Sequence, residues 1–329
     1  MQPAENTDRR ELRGSGLTMV LDRLYGLGDE FEQVSEYVDI VEIGWGLPLV
    51  WKDDAILRRI KFYRSRGIEV SMSGTLVEYF AFQNDTRSIL EKARRLGFSM
   101  VEISDGIIDV TQDQKLKLAK QVRSFGLEYL IAVGKKNPAA QLSTAETISQ
   151  IVAALAQGPA MVVLEGRERG RGVGIYDEDG EIKWSMLRSI SANFDYKDII
   201  FEAPNELQQI ALISEFGPQV NLGNVSFGSI AALQSERLGL RFDTFGVDRP
   251  GQETKGGPSV KFVLFVIQNY QPVDQREIAS ITQLPSRTIQ KAIEYLKERK
   301  QITEHPNFED RRSKIYRTPS ATTLRRSGG

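Results

Sequence analysis

Eight short apolar runs, separated by helical stretches, constrain the fold of this chain more than any other feature. Each run is continuous and rich in Val and Ile, as expected for a strand that is buried on both faces. The runs are LTMVLD, VDIVEIG, EVSMSG, MVEISDG, LEYLIAVG, AMVVLEG, DIIFEAP and QVNLGN. Residues 53–67 and 144–158, between runs, have the apolar spacing of helices. Eight such units favour an α/β fold with a closed (β/α)8 TIM barrel over an open doubly wound sheet.

A second, smaller domain is predicted after the barrel. Residues 247–258 are dense in Gly and Pro and poor in apolar residues, which is typical of a linker. The following segment contains three amphipathic helical stretches and two short extended stretches around a charged tip, the order of a winged helix-turn-helix. We predict a barrel over 16–246 and a winged helix-turn-helix over 259–318, with tails at 1–15 and 319–329.

Composition excludes several kinds of site. The 329 residues contain no cysteine, so disulfides, thiolate metal sites and cysteine nucleophiles are excluded, and a cytoplasmic setting is expected. The single histidine, His305, lies in a polar turn, so acid–base chemistry must use carboxylates, lysines or tyrosines. No apolar run approaches the roughly 18 residues of a membrane span, so we expect no membrane partner.

The stretch VVLEGRERGRGVGIYD, residues 162–177, places glycines and arginines directly after a predicted strand. A dinucleotide-binding fingerprint would have to open a helix here, whereas this stretch runs into EDGE, which indicates a tight turn. In a barrel, loops after strands build the active face. Arg167, Arg169 and Arg171 would therefore bind phosphate, carboxylate or sulfonate groups there. A solvated surface loop is the alternative.

Several acidic residues stand at the downstream ends of the predicted strands. A closed barrel would bring them to one mouth, where carboxylate oxygens favour a hard cation such as Mg²⁺. A purely structural ion-pair network is the alternative. These acids are Asp22, Glu102, Asp105, Glu165 and Glu202.

Two consecutive lysines, Lys135 and Lys136, follow the fifth run in the sequence VGKK. A lysine beside a developing enolate could act as a general acid that protonates carbon. A solvated loop is again the alternative.

Read in order, many short motifs resemble the phosphosulfolactate synthase family, from residue 16 to residue 246. They are GLTMVLDR, VDIVEIGWG, GTLVE, VEISDG, VGKK, LEGRERGRGVGIYD, IFEAP, QQ, NLGNV and GLRFDTFG. The resemblance implies a (β/α)8 barrel that uses Mg²⁺ to add sulfite to the double bond of phosphoenolpyruvate. With it we assign Lys135, Lys136 and Asp22 to catalysis, Arg23, Arg167, Ser104 and Asn224 to substrate binding, and Glu102, Glu165, Glu202 and Asp105 to the metal.

The chain also departs from this family's usual pattern. Arg23 replaces a lysine, Met72 and Ser73 replace PG, and Ala132 replaces a glutamate. Glu42 and Glu206 each replace a lysine, the second after Asn205. Two lysine-to-glutamate exchanges make the site more negative and oppose the binding of multiply charged anions. The departures predict either a changed reaction or a barrel that no longer catalyses one.

The C-terminal module resembles a MarR-like winged helix. Its predicted third helix carries Arg287, Thr288, Gln290 and Lys291 opposite an apolar stripe, and these residue types suit major-groove edges and phosphates. From residue 258 onward the chain has thirteen Lys and Arg against seven Asp and Glu, a charge that favours nucleic acid. A role in dimerisation or in packing on the barrel is the alternative. Wing-tip residues that could reach the DNA backbone or minor groove are Arg311, Arg312 and Lys314.

Three hypotheses follow for the whole chain. The first is a Mg²⁺-dependent carbon–sulfur lyase that acts on phosphoenolpyruvate and sulfite or a related enol acid. The second is a one-component regulator, in which the barrel senses a small anionic metabolite and the module binds double-stranded DNA as a homo-oligomer. The third is a binding or stress protein that retains only the scaffold.

Overall fold

The computed structural model describes residues 16–23, 26–244, 258–298, 301–307 and 313–318. These residues form two compact units, divided at residue 250. None of the described helices combines the length and the apolar content that crossing a bilayer requires.

The first unit is a closed barrel, in which eight parallel strands of the described residues pair in chain order and the last pairs with the first. The TIM-barrel prediction is therefore confirmed. The strands are β1 (Thr18–Asp22), β2 (Ile40–Ile43), β3 (Glu69–Met72), β4 (Met100–Ile103), β5 (Glu128–Val133), β6 (Met161–Leu164), β7 (Ile199–Glu202) and β8 (Asn221–Val225).

Helices connect these strands. Those after β4 and β5 begin with capping boxes, Thr111 with Gln114 and Ser143 with Glu146, which satisfy the first backbone N–H groups. The helices are α1 (Asp29–Glu32), α2 (Leu47–Val50), α3 (Asp53–Arg64), α4 (Gly74–Phe82), α5 (Thr86–Leu96), α6 (Gln112–Ser124), α7 (Thr144–Leu155), α8 (Trp184–Ser191), α9 (Glu206–Phe216) and α10 (Ile230–Arg237). Short 3-10 turns lie at Ser35–Tyr37, Pro138–Ala140, Tyr196–Asp198, Phe227–Ser229 and Phe242–Thr244.

Strand alternation divides the apolar side chains of the barrel between two cores. One set packs outward against the helices and forms the larger core. The other set fills the barrel interior, because alternate residues of a barrel strand point inward. Its buried members are Leu17, Met19, Ile40, Met100, Leu130, Ala132, Val163 and Ile200. This inner layer fixes which later residue of each strand also faces inward.

The second unit has a small antiparallel sheet in the order β10–β11–β9, packed with three helices around its own apolar core. The two-residue strand β9, which the sequence reading did not predict, pairs with β11 and leads into a helix capped by Asp274 and Glu277. The elements are α11 (Pro258–Tyr270), β9 (Val273–Asp274), α12 (Gln275–Thr282), α13 (Ser286–Glu298), β10 (Thr303–Pro306) and β11 (Lys314–Arg317). Except for Pro258, which begins α11, the predicted linker lies outside the described residues, as do both predicted tails.

Candidate active site

Four buried glutamates form a layer inside the barrel, at the carboxyl ends of its strands. Each stands two residues after an inward-facing apolar residue of the same strand or run, for example Glu102 after Met100. Because the side-chain period of a strand is two, all four carboxyl groups face the barrel interior. The four are Glu42, Glu102, Glu165 and Glu202.

Burial and mutual repulsion favour the protonated form of three of these carboxyl groups, those of Glu42, Glu102 and Glu202. Burial, with the nearby charge of Glu42, raises the pKa of Glu102 to about 8. Burial and the charge of Glu165 also raise the pKa of Glu202 well above its usual value. The pKa of Glu42 itself is raised by burial, against the attraction of Lys136. The layer therefore contains more carboxyl groups than the single ammonium group beside it can neutralise.

Lys136 is that lysine. Its Nζ donates to Thr75 Oγ1 at 2.8 Å and lies 3.6 Å from Glu165 Oε2. Burial alone would lower its pKa, but Glu165 and the other carboxylates of the layer outweigh burial and raise it. The side chain is therefore protonated at neutral pH.

Lys135 points away from the layer. Its Nζ donates to Asp109 Oδ1 at 2.9 Å and lies 3.4 Å from Asp105 Oδ2. The other oxygen of Asp105 is 2.9 Å from the ammonium group of Lys115, a fully buried residue of α6. Asp105 falls on the opposite parity to Glu102, so the structure pairs it with two lysines and does not bring it into the glutamate layer.

Asp22 also lies outside the layer, on the helix-facing side of β1. It accepts hydrogen bonds from Arg59 Nη2 at 2.9 Å and from the hydroxyl of Tyr63 at 2.7 Å, both on α3. The cause is again alternation, since Met19 faces inward and Asp22 is an odd number of residues away. This contact joins the barrel wall to a helix.

The arginine-rich loop after β6 sends one of its three arginines into the mouth. The N–H groups of Gly166 and Arg167 donate to Glu202 Oε2 at 2.7 and 2.9 Å, and Arg167 Nη1 donates to the carbonyl of Lys136 at 3.0 Å. Arg169 and Arg171 are exposed. An isolated antiparallel bridge joins residues 176 and 182, and α8 begins only at residue 184, which fits the predicted tight turn and not a dinucleotide-binding helix.

The predicted substrate-binding residues stand around this layer. Arg23 lies over the ring of Trp45, 5.2 Å from its centroid, and its buried Nε has no hydrogen-bond partner among the described residues. The same holds for the buried Oδ1 of Asn224. Ser104 donates its hydroxyl proton to Glu78. The guanidinium of Arg23 and the amide of Asn224 thus keep hydrogen-bonding capacity for a ligand.

Three non-glycine residues at the carboxyl ends of strands have a left-handed backbone. Trp45, Arg167 and Asn224 all have φ of 55°. Such a conformation is uncommon for a side chain other than Asn, and strained residues of this kind cluster at ligand sites. They follow β2 and β6 and end β8, so the strain is distributed around the mouth.

The donor set suits magnesium in its chemistry. Among the described residues, no group of three or more acidic or histidine side chains is arranged to ligate a metal as it stands. Magnesium, however, is usually held by one or two carboxylates together with waters and substrate oxygens, not by an all-protein cage. The excess of buried carboxylates over cations supplies both the oxygen ligands and the negative charge for such a site.

The sequence reading did not select three buried residues that the structure places here. Glu42 was noted only as a charge exchange, although its parity with Ile40 on β2 would have placed it in the layer. Glu78 and Lys115 lie on helices and are buried through tertiary contacts. A helical glutamate or lysine gives no local signal that it is buried, so neither could be found from spacing.

The predicted DNA-contacting residues of α13 lie opposite its buried stripe. Arg287, Gln290 and Lys291 are exposed and Thr288 is half-buried. His305 is exposed on β10, where its Nε2 lies 2.9 Å from Thr303 Oγ1. The wing-tip residues Arg311 and Arg312 lie outside the described residues.

The raised pKa of Glu102 predicts that the metal-free protein loses stability as the pH rises. Because the folded state binds this proton more tightly than the unfolded state, its contribution is full below pH 4.5 and is lost as the pH rises through about 8. We expect Glu102→Gln to reduce this loss by more than about 1 kcal/mol, the free energy of roughly one pKa unit. Urea unfolding in EDTA at several pH values, followed by tryptophan fluorescence, measures it.

The control is Glu128→Gln, which changes an exposed glutamate at the amino end of β5. This variant should keep the wild-type pH dependence. An unchanged pH dependence in Glu102→Gln would contradict the prediction.

Comparisons with known proteins concern the barrel. Residues 6–243 match the family model described as (2R)-phospho-3-sulfolactate synthase (ComA). The chain is 38% identical to phosphosulfolactate synthase of Methanocaldococcus jannaschii over 70% of its own length and 94% of the relative's. It is 33% identical to phosphosulfolactate synthase of Bacillus subtilis over 71% and 93%. Among solved structures, an HpcH/HpaI aldolase from Desulfitobacterium hafniense is 12% identical with a TM-score of 0.39, covering 73% of this chain and 98% of the aldolase.

Proposed function

Because this chain belongs to the (2R)-phospho-3-sulfolactate synthase family, we propose that its barrel adds sulfite to phosphoenolpyruvate with the help of Mg²⁺. The observation that supports this proposal is a protonated lysine, Lys136, set against a layer of buried carboxylates at the carboxyl ends of the strands. This is the face at which barrel enzymes carry their chemistry. The layer supplies ligands for a cation, and Lys136 supplies a proton.

The product in the family's name implies which bonds would change in the proposed reaction. The sulfur of sulfite forms a bond to C3 of phosphoenolpyruvate, the C2–C3 double bond is consumed, and C2 gains a proton. Negative charge develops on C2 and the neighbouring carboxylate during the attack, so an acid close to C2 lowers the barrier. We assign this proton to the ammonium group of Lys136. Solvent reprotonates the lysine after the product leaves.

Glu102 and Glu202 are the carboxylates that we propose for the metal. Glu165 is already paired with Lys136, and Asp105 is paired with Lys115 and Lys135. When bound, magnesium would withdraw electron density from the substrate carboxylate and offset the surplus charge of the layer. Without it, whichever carboxyl groups of the layer are ionised would repel two anionic substrates.

Cationic and amide groups around the mouth would hold the substrates. Arg23, stacked on Trp45, and Arg167 suit the phosphate group of phosphoenolpyruvate, because a guanidinium offers paired donors to phosphate oxygens. The amide of Asn224 can donate to the remaining oxygens, whereas the predicted substrate-binding hydroxyl of Ser104 already donates its proton to Glu78. Arg23 is longer than lysine and donates through N–H groups in a fixed planar arrangement. The exchange therefore keeps the positive charge at this position and changes the geometry of its hydrogen bonds to phosphate.

The test is turnover by the purified chain. We expect phosphosulfolactate, detected by mass spectrometry, from phosphoenolpyruvate and sulfite with Mg²⁺, and none in EDTA. Omitting sulfite is the control for hydrolysis of phosphoenolpyruvate. If no divalent cation supports turnover, the barrel is not this enzyme, and a sensing or scaffold role takes its place.

A second function is proposed for the C-terminal unit, which we interpret as a winged helix-turn-helix that binds double-stranded DNA. The specific observation is the exposed face of α13, where Arg287, Gln290 and Lys291 lie opposite the buried Ile289 and Ile293. Such residues can reach base edges and phosphates when the helix lies in the major groove. We further propose a homodimer, so that two such helices would meet half-sites about one helical turn apart.

Arg287→Ala is expected to weaken binding to a preferred DNA site by about 1–3 kcal/mol, the range for a specific side chain–base contact. Gel-shift titration against the DNA that lies upstream of the gene for this chain, at two salt concentrations, measures the loss of affinity. Arg94→Ala removes the same charge from an exposed position on α5 of the barrel and is the control. Equal affinity for every DNA sequence, or equal losses in the two variants, would contradict a site-specific role for α13.

A further inference from the structure

Helix α4 presents two polar side chains, three residues apart and therefore on one face, towards the surroundings of Lys136. We infer that Thr75 and Glu78 are positioning residues for Lys136: Thr75 fixes its ammonium group, and Glu78 fixes the loop that packs against its alkyl chain. This inference rests on the proposed function for the role of Lys136 as an acid. The geometry itself involves no substrate.

Thr75 acts at the charged end. Its hydroxyl oxygen accepts a hydrogen bond from Lys136 Nζ at 2.8 Å. Glu165 lies farther away, at 3.6 Å from the same nitrogen. The hydroxyl thus sets the direction in which one N–H of the ammonium group points, and the remaining N–H groups are left to face Glu165 and the mouth.

The start of α4 is held close to the glutamate layer, which keeps Thr75 within reach. A side-chain carbon at Gly74 would collide with Ser104 Oγ and with Glu102 Oε1. Glycine therefore lets the start of the helix lie closer to these two side chains than a larger residue would without moving them. This close packing keeps Thr75 within reach of Lys136.

Glu78 acts through the loop after β4. Its buried carboxylate accepts hydrogen bonds from three consecutive backbone N–H groups, those of Gly106 at 3.2 Å, Ile107 at 2.8 Å and Ile108 at 3.0 Å. It also accepts the hydroxyl proton of Ser104. Four donors on one carboxyl group form a specific anchor. The backbone of this loop is therefore tied to α4.

The anchored loop in turn packs on Lys136. The N–H of Lys136 donates to the carbonyl of Gly106 at 3.0 Å. A Cβ at Gly106 would lie 2.9 Å from Lys136 Cγ and 3.1 Å from its Cδ and Cε. The backbone of Gly106 therefore lies along the alkyl chain of the lysine. If Glu78 no longer bound the loop, the backbone of Gly106 and the backbone of Lys136 would move together.

The experiment compares Thr75→Val and Glu78→Gln with two matched controls. Thr244 and Glu236 form a buried threonine–glutamate hydrogen bond of 2.7 Å at the end of the barrel unit. Thr244→Val and Glu236→Gln therefore make the same chemical changes at a buried pair that contacts Arg241 and not Lys136. Thr75→Ser, which keeps the hydroxyl, is the rescue variant.

We expect kcat to fall roughly 10- to 100-fold in Thr75→Val and Glu78→Gln, the loss expected for a reacting group that is misplaced by about 1 Å. KM should stay near the wild-type value, because the lysine donates its proton only in the transition state. Thr75→Ser should recover most of kcat, and both controls should keep it. A fall in the controls equal to that in the test variants, or a change in KM alone, would overturn the inference.

A readout without substrate separates this inference from the proposed function. Amine-reactive labelling followed by peptide mass spectrometry measures how readily Lys136 reacts, with Lys92, which pairs with Asp53 outside this loop, as the internal reference. We expect Lys136 to be labelled faster relative to Lys92 in Thr75→Val and Glu78→Gln, but not in the controls. Unchanged ratios would overturn the positioning role even in an active enzyme. Changed ratios in a chain without turnover would reject only the proposed reaction.

Discussion

Lys136→Met is expected to lower kcat for sulfite addition by roughly 10²–10⁴-fold, the usual contribution of a general acid or base. Methionine keeps the apolar length of the side chain and removes the ammonium group. We therefore expect only the loss of the ammonium group to affect the catalysed step. The raised pKa of Lys136 keeps this side chain protonated at neutral pH. Steady-state kinetics with saturating phosphoenolpyruvate, sulfite and Mg²⁺ measure the loss.

Lys135→Met is the matched control, since it changes the neighbouring residue in the same loop. Lys135 contacts Asp105 and Asp109 and not the glutamate layer, so its loss should lower kcat less than the loss of Lys136. Circular dichroism should confirm that both variants fold. Full activity in a folded Lys136→Met would show that the proton comes from another group.

Asp22→Ala is expected to destabilise the barrel by about 3–5 kcal/mol, the range for removing one partner of a buried ion pair. The side chain of Asp22 is fully buried and that of its partner Arg59 is 10% exposed, so the change removes a buried carboxylate that accepts hydrogen bonds from this guanidinium. The hydroxyl of Tyr63 loses its acceptor as well. The three tryptophans, Trp45, Trp51 and Trp184, all lie in the barrel unit, so urea unfolding by tryptophan fluorescence reports on this unit.

Glu91→Ala is the control for a surface ion pair. Glu91 and Arg87 form an i,i+4 pair on α5, with side chains 53% and 77% exposed, and such pairs contribute about 0.3–0.5 kcal/mol. If the free energy of unfolding falls no more in Asp22→Ala than in Glu91→Ala, the ion pair of Asp22 with Arg59 does not stabilise the barrel. A loss of kcat at temperatures where Asp22→Ala is folded would support the catalytic role predicted from the sequence.

The fold could be predicted because its signal is local. A strand that is buried on both faces has to be apolar along its whole length, so the eight runs mark the eight strands wherever they lie in space. β9, with two residues, is too short to give such a signal. It exists because β11 pairs with it across more than forty residues of chain, and no local pattern encodes that pairing.

The candidate site could be predicted only in part, because position along a strand and side-chain direction are separate properties. Ending a strand was enough to bring Glu102, Glu165 and Glu202 to one mouth. Position at the end of a strand does not show that Asp22 and Asp105 face the helices. The alternation of side chains along each strand contains this information once one inward-facing residue is known. The choice between Lys135 and Lys136 depends on loop geometry, which the sequence does not encode locally.

The glutamate layer also bears on how this protein can change over generations. All four acids belong to strands or directly adjoin them, and hydrogen bonds to neighbouring strands fix those positions. The long connection after β6, by contrast, reaches solvent through Arg169 and Arg171. Beyond Arg167, whose N–H binds Glu202, mutations in that connection can therefore alter which molecules are admitted without displacing the acids. When new substrates are selected, in nature or in a directed-evolution library, substitutions should accumulate in this connection and be rare in the strands.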